Sequence, residues 1–390
     1  MNSIRRGIVA LIKSAITGTR VSLPDGFDIE QAFSEIKRHN IVPLAYEGAV
    51  KCGISKTAPA MQEMFQIYCR QLMVSEGQLR EIKRIIAAFD ENGIDYLLLK
   101  GCNMKQLYPK HEMRVMGDAD ILIRTEQYEK IIPIMEKLGF EAKLESNHEY
   151  VWTSKQLFLE LHKYLIPSYN KDYFSYFGDG WKLAVREDGG RHKLSVEDEY
   201  IYIFTHFAKH YRDGGIGCNH VTDLWVYKRA HPDMDKMYIE EELEKLQLFQ
   251  FYRNIMRLTE VWFEDAEYDE KSAFITEVIF GSGSWGKAEN HVLSAETKLA
   301  AEAGSVRGGK RKSLVNAVFP KAEAISQRYK VLGKAPWLLP VFWPVRWVDA
   351  ALFRRDNIRK RQSERKFATE DKVEAYRKSL EYVGLEFRFE

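Results

Sequence analysis

The stretch Asp118-Ala119-Asp120-Ile121-Leu122-Ile123 sets two acidic residues at the start of a run of large apolar ones. Such a run predicts a short buried strand. Because side chains alternate between the faces of a strand, Asp118 and Asp120 share one face, and Ala119, Ile121 and Ile123 supply the opposite, buried face. Two carboxylates fixed side by side repel each other unless a cation lies between them. Oxygen ligands of this kind suit Mg²⁺, or Mn²⁺ in its place, so the stretch predicts a site for a divalent cation.

A second predicted strand lies upstream and runs into a glycine turn, in Leu97-Leu98-Leu99-Lys100-Gly101-Cys102. The residues after this turn open a predicted helix, and a helix N-terminus offers free N–H groups to phosphate oxygens. Gly101 lets the backbone approach a ligand closely, and Lys100 adds a positive charge at the turn. Arg114 is able to hold a phosphate through two hydrogen bonds. The turn therefore predicts phosphate binding beside the paired carboxylates.

A third acidic residue follows on a later strand. The pattern predicts strands at 94–99, 118–123, 148–152 and 157–162, with a helix at 126–138, which together make a compact α/β module. Glu160 lies in the last strand between Leu159 and Leu161, where an acid among large apolar residues indicates a functional position. His162 projects to the same face as Glu160, either at the rim of an active site or as an ordinary strand-end histidine.

In this order and spacing, these features resemble the nucleotidyltransferase superfamily that includes DNA polymerase β. The core of that superfamily has a glycine at a strand–helix junction, paired acids on the next strand and a third acid later. Within it, the chain resembles most the bacterial family of uncharacterised nucleotidyltransferases, over about residues 25–230. The resemblance is carried by Leu98-Leu99-Lys100-Gly101, Leu107-Tyr108-Pro109, the stretch from Arg114 to Ile123, and Leu159-Glu160-Leu161-His162. Cys102 departs from the superfamily, which prefers Gly or Ser after the motif glycine.

The resemblance implies an α+β fold, with a nucleotidyltransferase-type α/β core and a mixed sheet flanked by N-terminal and C-terminal helical regions. It also implies a metal-dependent enzyme that moves a nucleoside monophosphate from a nucleoside triphosphate to a small-molecule or protein acceptor and releases pyrophosphate. Asp118, Asp120 and Glu160 would hold two Mg²⁺ ions and carry catalysis. The residues expected to contact substrates are Lys100, Gly101, Cys102, Arg114, His162, His206 and His210.

His206 and His210 are four residues apart and so share one face of a predicted helix. Asp213, His220 and Asp223 follow them closely. This spacing is compatible with a metal site like that of a helical phosphohydrolase, and also with a wall of the substrate cleft. We favour a substrate-side role because the segment resembles the helical half of the same family.

Periodicity and composition divide the chain into five parts. They predict an N-terminal helical region at 1–90, an α/β core at 91–165 and a helical region at 166–280. The resemblance implies that the core is the nucleotidyltransferase core and that the helical region at 166–280 closes its cleft. A linker or mobile loop is predicted at 281–313, where glycine and serine are frequent, and a basic C-terminal region at 314–390.

Composition excludes several classes of protein. The chain has 390 residues, of which 45% are hydrophobic and 29% charged, as in globular proteins. The four cysteines have no paired spacing, so we expect reduced thiols and a cytoplasmic setting. We predict no transmembrane segment, because no uncharged apolar run reaches about 18 residues.

Charge is unevenly distributed along the chain. Residues 301–366 hold 16 Lys and Arg against 5 Asp and Glu, a local charge of +11 in a chain whose net charge is +2. A basic segment of this kind suits nucleic acid, an anionic membrane surface or the acidic body of its own protein. Nucleic acid is a partner that we do not favour.

Two other functions are compatible with the residues. An Asp-x-Asp pair also holds the metal of nucleotide-sugar donors in glycosyltransferases, although these need a nucleotide-binding α/β segment before the motif. Here the residues before the motif are mostly helical in pattern. The remaining alternative is a non-catalytic interaction protein on the same fold that uses the basic C-terminal segment.

Overall fold

The computed structural model describes residues 2–284, 286–326, 328–353 and 355–387, which form two units. The first unit comprises the residues up to His210 together with those from Gly215 to Ser284. The second comprises Tyr211–Gly214 together with the described residues from Gly286 onward. All of the site residues predicted from the sequence belong to the first unit.

Four helices precede the sheet, namely α1 (Ser3–Thr17), α2 (Ile29–Arg38), α3 (Val42–Cys52) and α4 (Pro59–Glu91). α1 is amphipathic and buries Ile8, Leu11 and Ile12. It packs closely on α3 at Gly48, where a Cβ atom would lie 1.9 Å from the carbonyl oxygen of Leu11. Only glycine fits at this crossing, so the contact fixes how the two helices pack together.

A mixed sheet follows. Its strands in the described residues are β1 (Tyr96–Leu98), β2 (Ala119–Ile123), β3 (Glu141–Glu145), β4 (Glu149–Thr153), β5 (Phe158–His162), β6 (Val185–Asp188) and β7 (Arg191–Lys193). Their order is β3-β4-β5-β2-β1-β7-β6. β2 pairs in parallel with β5 and antiparallel with β1, and β1 pairs in parallel with β7. This mixed sheet with flanking helices confirms the predicted α+β class.

Three of these strands were not predicted from the sequence, namely β3, β6 and β7. β3 and β6 are exposed along their whole lengths and contain no run of apolar residues, so they lack the usual strand signal. β7 hydrogen-bonds to β1, and the sheet therefore continues beyond residue 165, where the sequence places the end of the core. The helical region predicted for 166–280 thus contains a β-hairpin.

The two faces of the sheet differ in polarity. One face packs on α4 and on α6 (Tyr128–Lys137) through an apolar core that includes Ile85, Ile121, Ile123 and Leu159. Because side chains alternate, Asp120 projects to the other face, together with Glu160 and His162 of β5. The polar face is therefore the one available for chemistry.

The rest of the first unit is largely helical. Its helices are α5 (Gly101–Met104), α7 (Lys171–Phe177), α8 (Val196–Asp213), α9 (Cys218–Ala230), α10 (Lys236–Lys245), α11 (Phe249–Phe263) and α12 (Glu270–Ser282). α8 is joined to the turn after β1, because Glu199 accepts a 2.7 Å hydrogen bond from Nδ2 of Asn103. The same amide donates to the carbonyl oxygen of Leu98 over 3.0 Å. This link holds α8 beside the turn that contains Lys100.

The second unit is helical in its described residues, with α13 (Ala288–Ala303), α14 (Val306–Val318), α15 (Ala322–Ile325), α16 (Val331–Lys334), α17 (Leu339–Phe353), α18 (Arg355–Phe367) and α19 (Glu370–Tyr382). A small core of Leu293, Ala368 and Val373 joins α13 to α19. The prediction of a linker or mobile loop over 281–313 is wrong where α13 and α14 form. Ser305 starts α14 by accepting a 3.1 Å hydrogen bond from the N–H of Gly308, so serine and glycine mark a helix cap here.

No described helix combines the length and the apolar character that crossing a membrane requires. The four cysteines are free thiols, as the sequence predicts, and Cys69 alone among them is exposed.

A buried histidine lies where α2 ends. Nε2 of His39 is 3.3 Å from the carbonyl oxygen of Phe280, and Nδ1 is 3.4 Å from the backbone N–H of Cys218. A neutral ring protonated at Nε2 satisfies both contacts, whereas a protonated ring would turn a second N–H toward the Cys218 donor. Burial lowers the pKa of His39 from 6.5 to about 4, and the positive charge of Arg38 adds to the shift.

We expect the free energy of unfolding to fall as the pH falls from 6.5 to 4. The unfolded chain binds a proton at His39 first, so acid favours unfolding, by up to about 3 kcal/mol for this residue. Urea denaturation at several pH values measures the slope. His39→Gln should flatten it, and replacement of the exposed His111 by Gln is the matched control. Equal slopes for His39→Gln and the unmodified protein would contradict this role.

Candidate active site

Strand register brings the predicted acids together. In the parallel pair of β2 and β5, Asp120 lies opposite Glu160, and Leu122 lies opposite His162. Asp118 immediately precedes β2. The sequence-predicted carboxylates therefore meet on the polar face of the sheet, at neighbouring positions of two hydrogen-bonded strands.

Asp120 is the centre of a buried network of charged groups. Its Oδ1 accepts from Nζ of Lys100 at 3.2 Å and lies 2.6 Å from Nε2 of His162. The same Nε2 lies 3.4 Å from a carboxylate oxygen of Glu160. His162 thus stands between the two carboxylates, and its ring nitrogen occupies a position at which a shared proton or a cation balances their charge.

The pKa shifts follow from these contacts. Burial alone would raise the pKa of Asp120, but Lys100 and the hydrogen bond from His162 outweigh it and hold the pKa well below its usual value. Burial likewise opposes the charge on His162, yet hydrogen bonds to Asp120 and Glu160 raise the pKa of its ring. Asp120 is therefore ionised at neutral pH.

The pKa of Asp118 shifts in the opposite direction from that of Asp120. Burial raises the pKa of its carboxyl group to about 6, and the negative charges of Asp120 and Glu160 raise it further in the same direction. Lys100 compensates only in part. A positive charge added next to Asp118 would therefore stabilise the ionised form of its carboxyl group.

The donor atoms are those that a divalent cation requires. Ligand atoms of Asp120, Glu160 and His162 all lie within 4.8 Å of one another. The oxygens of the two carboxylates suit Mg²⁺ or Mn²⁺, whereas an imidazole is a ligand more typical of Zn²⁺ or Fe²⁺. With the raised pKa of Asp118 next to them, these residues fit a bound cation.

The turn after β1 is strained at Lys100 and not at Gly101. Lys100 has φ 42° and ψ −114°, in a region that L residues rarely adopt. Such strain costs about 1–3 kcal/mol and is concentrated at functional sites. A Cβ atom at Gly101 would lie 3.1 Å from the side chain of Met116, so space there is narrow. The turn therefore holds the Lys100 ammonium group against Asp120.

Cys102 follows this turn as a buried residue. Burial raises the pKa of its thiol to about 12, with Asp120 contributing in the same direction. A thiol in this state is protonated and a poor nucleophile at neutral pH. Cys102 thus packs beneath the site and takes no role as a reactive thiolate.

Arg114 makes an ion pair with Asp223 of α9. Its Nε donates to the carboxylate at 2.8 and 3.0 Å, and a terminal nitrogen lies 2.8 Å from the second oxygen. Asp223 also accepts a 2.7 Å hydrogen bond from the hydroxyl of Tyr108. The structure therefore brings Lys100, Asp118, Asp120, Glu160 and His162 together and directs the Arg114 guanidinium to a different carboxylate.

His206 and His210 lie on α8 with their Nε2 atoms 3.0 Å apart. Burial holds the pKa of His206 well below 6.5, and the nearby charge of Lys100 lowers it further. Neither histidine belongs to a cluster of three or more potential metal ligands in the described part of the chain. The arrangement gives no support to a phosphohydrolase-like metal site and leaves His206 as a neutral group near Lys100.

Two neighbouring residues complete the site and were not predicted as site residues from the sequence, namely His148 and Glu149, the residue at which β4 begins. Glu149 lies opposite His162 in the antiparallel pairing of β4 and β5, and Nε2 of His148 is 3.0 Å from Nδ1 of His162. Burial lowers the pKa of His148 to about 2. Only the strand register reveals this contact, because no local pattern marks His148 or Glu149.

Residues 25–264 of the chain match the family model described as uncharacterised nucleotidyltransferase. The chain belongs to this nucleotidyltransferase family. Comparisons with curated proteins and with solved structures give no match. The matched residues contain the whole site, from Lys100 to Asp223, which agrees with the resemblance inferred from the sequence motif.

Membership of this nucleotidyltransferase family indicates a transferase of nucleotidyl groups that uses a nucleoside triphosphate. The matched residues begin before α2 and extend one residue past α11. The family region therefore includes helices α2–α4 and α8–α11 of the first unit. It leaves α1, α12 and the second unit outside, apart from Tyr211–Gly214.

Proposed function

We propose that this nucleotidyltransferase moves a nucleoside monophosphate from a nucleoside triphosphate to an acceptor group in a Mg²⁺- or Mn²⁺-dependent reaction. The acceptor oxygen would bond to the α-phosphorus while the bond to the bridging oxygen breaks, and pyrophosphate would leave. The observation that carries the proposal is the convergence of Asp118, Asp120 and Glu160 on one sheet face beside Lys100.

In this proposal, the protein's own side chains would bind both the cation and the phosphates. Asp118, Asp120 and Glu160 would hold the cation, with His162 at its edge. When bound, the cation neutralises phosphate charge and lowers the pKa of an acceptor hydroxyl. Its charge would also relieve the repulsion that raises the pKa of Asp118. Lys100, which donates to Asp120 in this structure, would then be able to contact a phosphate oxygen with its ammonium group.

The remaining proposed substrate contacts lie around this centre. Gly101 and Cys102 open the short helix α5 beside the strained turn. His162 contacts Asp120, and His206 lies near Lys100 with His210 beside it on α8. We propose that these histidines line the substrate cleft. The glycosyltransferase alternative is disfavoured because α1–α4 occupy the residues before the motif.

The experiment measures triphosphate binding first and turnover second. Calorimetric titration of a non-hydrolysable analogue of each of the four nucleoside triphosphates, with Mg²⁺ and with a chelator, should show cation-dependent binding of at least one. Pyrophosphate release from that triphosphate is then measured with candidate hydroxyl acceptors. Glu145→Gln, on exposed β3 of the same sheet, is the control and should bind normally. Nucleoside diphosphate release from nucleotide sugars, or binding of no triphosphate, would contradict the proposal.

A further inference from the structure

Helix α17 of the second unit exposes an apolar stripe. Val341, Val345, Val348 and Leu352 are spaced by four, three and four residues, which places them on one face of the helix. Each has 49–63% of its surface exposed. Trp337 just before the helix and Phe353 at its end are 77% and 80% exposed. Contiguous apolar surface of this kind marks an interaction site.

The opposite face of α17 is firmly attached to the unit. The indole nitrogens of Trp343 and Trp347 donate to the carbonyl oxygens of Pro320 and Val318, at 3.1 and 2.8 Å. Both indole rings contact the ring of Phe319 edge-on, with centroids 5.1 and 5.4 Å apart. The polar atoms of these tryptophans are thus satisfied inside the unit. The outward direction of the stripe is therefore set by packing.

Positive charge accompanies this stripe. Residues 301–366 carry a net charge of +11, and α18, which follows α17, holds six Lys and Arg against two Asp and Glu. Arg359, Lys360 and Arg361 are exposed on that helix. An exposed apolar helix face, with an exposed tryptophan before it and an exposed basic helix after it in the chain, is complementary to the interface of an anionic bilayer. A nucleic-acid partner would leave the apolar stripe without a role.

We propose that the second unit docks onto an anionic membrane surface, with α17 lying in the plane of the interface. The apolar stripe would enter the headgroup and acyl boundary, and the basic residues of α18 would meet lipid phosphates. The 15 residues of α17 measure about 22 Å, which is shorter than the roughly 30 Å of a hydrocarbon core. Docking of this kind would hold the nucleotidyltransferase at a membrane through the surface of its second unit.

Vesicle flotation of the full chain tests the proposal. The protein should float with vesicles of phosphatidylcholine containing 30% phosphatidylglycerol and stay behind with pure phosphatidylcholine. Val345→Ser combined with Val348→Ser should abolish flotation without unfolding, because both side chains are exposed. We expect the affinity for the anionic vesicles to fall about a hundredfold, at about fivefold for each lost charge, in the triple variant Arg359→Gln, Lys360→Gln and Arg361→Gln. Met237→Ser, at a 70% exposed position of α10, is the control and should float normally.

Three results would overturn the proposal. The first is no flotation of the folded protein with either vesicle. The second is flotation that the charge variants abolish and the two serine substitutions leave unchanged, which would indicate binding to polyanions in general. The third is a dimer in solution that the serine substitutions separate, which would make a second copy of the chain the partner of the stripe. Analytical ultracentrifugation measures the oligomeric state of the chain and of the serine variants.

Discussion

Asp118→Asn and Asp120→Asn should both abolish nucleotidyl transfer, by about 10³-fold or more, and should change stability in opposite directions. Turnover should be lost because each variant removes a carboxylate from the proposed cation site, and a bound cation stabilises the transition state by several kcal/mol. The stability changes should differ because Asp120 is ion-paired, whereas Asp118 is repelled by the carboxylates of Asp120 and Glu160. Lys100 and His162 lie 3.2 and 2.6 Å from Asp120.

Asp120→Asn leaves the Lys100 ammonium without its carboxylate partner, and we expect a loss of about 3 kcal/mol in the free energy of unfolding. Asp118→Asn removes a carboxylate whose pKa is raised to about 6, and should gain about 1–2 kcal/mol above pH 6. The gain should vanish near pH 4, because a carboxyl group with a raised pKa is neutral there in the folded protein, and it destabilises only when ionised.

Urea denaturation in a chelator, from pH 4 to pH 8, measures both changes, and pyrophosphate release with Mg²⁺ measures turnover. Glu145→Gln on the exposed strand β3 should alter neither. Full activity in either Asp variant would remove the basis for the cation site. Stability changes of the same sign in the two variants would contradict the assignment of Asp120 as a stabilised, ion-paired carboxylate and of Asp118 as a destabilised one.

The sequence predicts β1, β2, β4 and β5 because each contains large apolar residues that the core buries. Local pattern also places Asp118 and Asp120 correctly relative to the buried face, because alternation along a strand needs no knowledge of other elements. Glu160 and His162 share a face for the same reason. The centre of the site was therefore accessible to sequence reasoning.

The parts that could not be predicted depend on long-range contacts. β7 joins the sheet through β1, almost a hundred residues upstream in the chain, and His148 reaches His162 only through strand register. Asp223 is 109 residues from Arg114, so no local pattern reveals that the two side chains pair. The positive φ of Lys100 is equally hidden, because lysine rarely adopts it and glycine follows directly.

Arg114→Ala should lower the free energy of unfolding by about 3–5 kcal/mol, which is a large part of the 5–15 kcal/mol typical of a domain. The reason is that Asp223 is almost fully buried and, among the described residues, would keep the hydroxyl of Tyr108 as its hydrogen-bond donor in place of a charged partner. Arg114→Lys should recover part of the loss, since one ammonium group cannot reproduce the paired hydrogen bonds of the guanidinium.

Arg114→Ala also distinguishes this structural role from the phosphate-binding role that the sequence motif implies. If Arg114 binds phosphate in the complex, triphosphate affinity should fall by about 1.5–3 kcal/mol, with little change in stability. If it supports the fold through Asp223, Arg114→Met combined with Asp223→Leu should restore most of the stability, because a buried ion pair can be replaced by apolar residues of similar volume. Urea denaturation of the single and double variants, and calorimetric titration of the triphosphate analogue into each, measure both effects.

We expect the loss of stability to be the larger effect of Arg114→Ala, since the guanidinium is already held by three contacts of 2.8–3.0 Å to the carboxylate of Asp223. A single variant as stable as the unmodified protein would contradict this role.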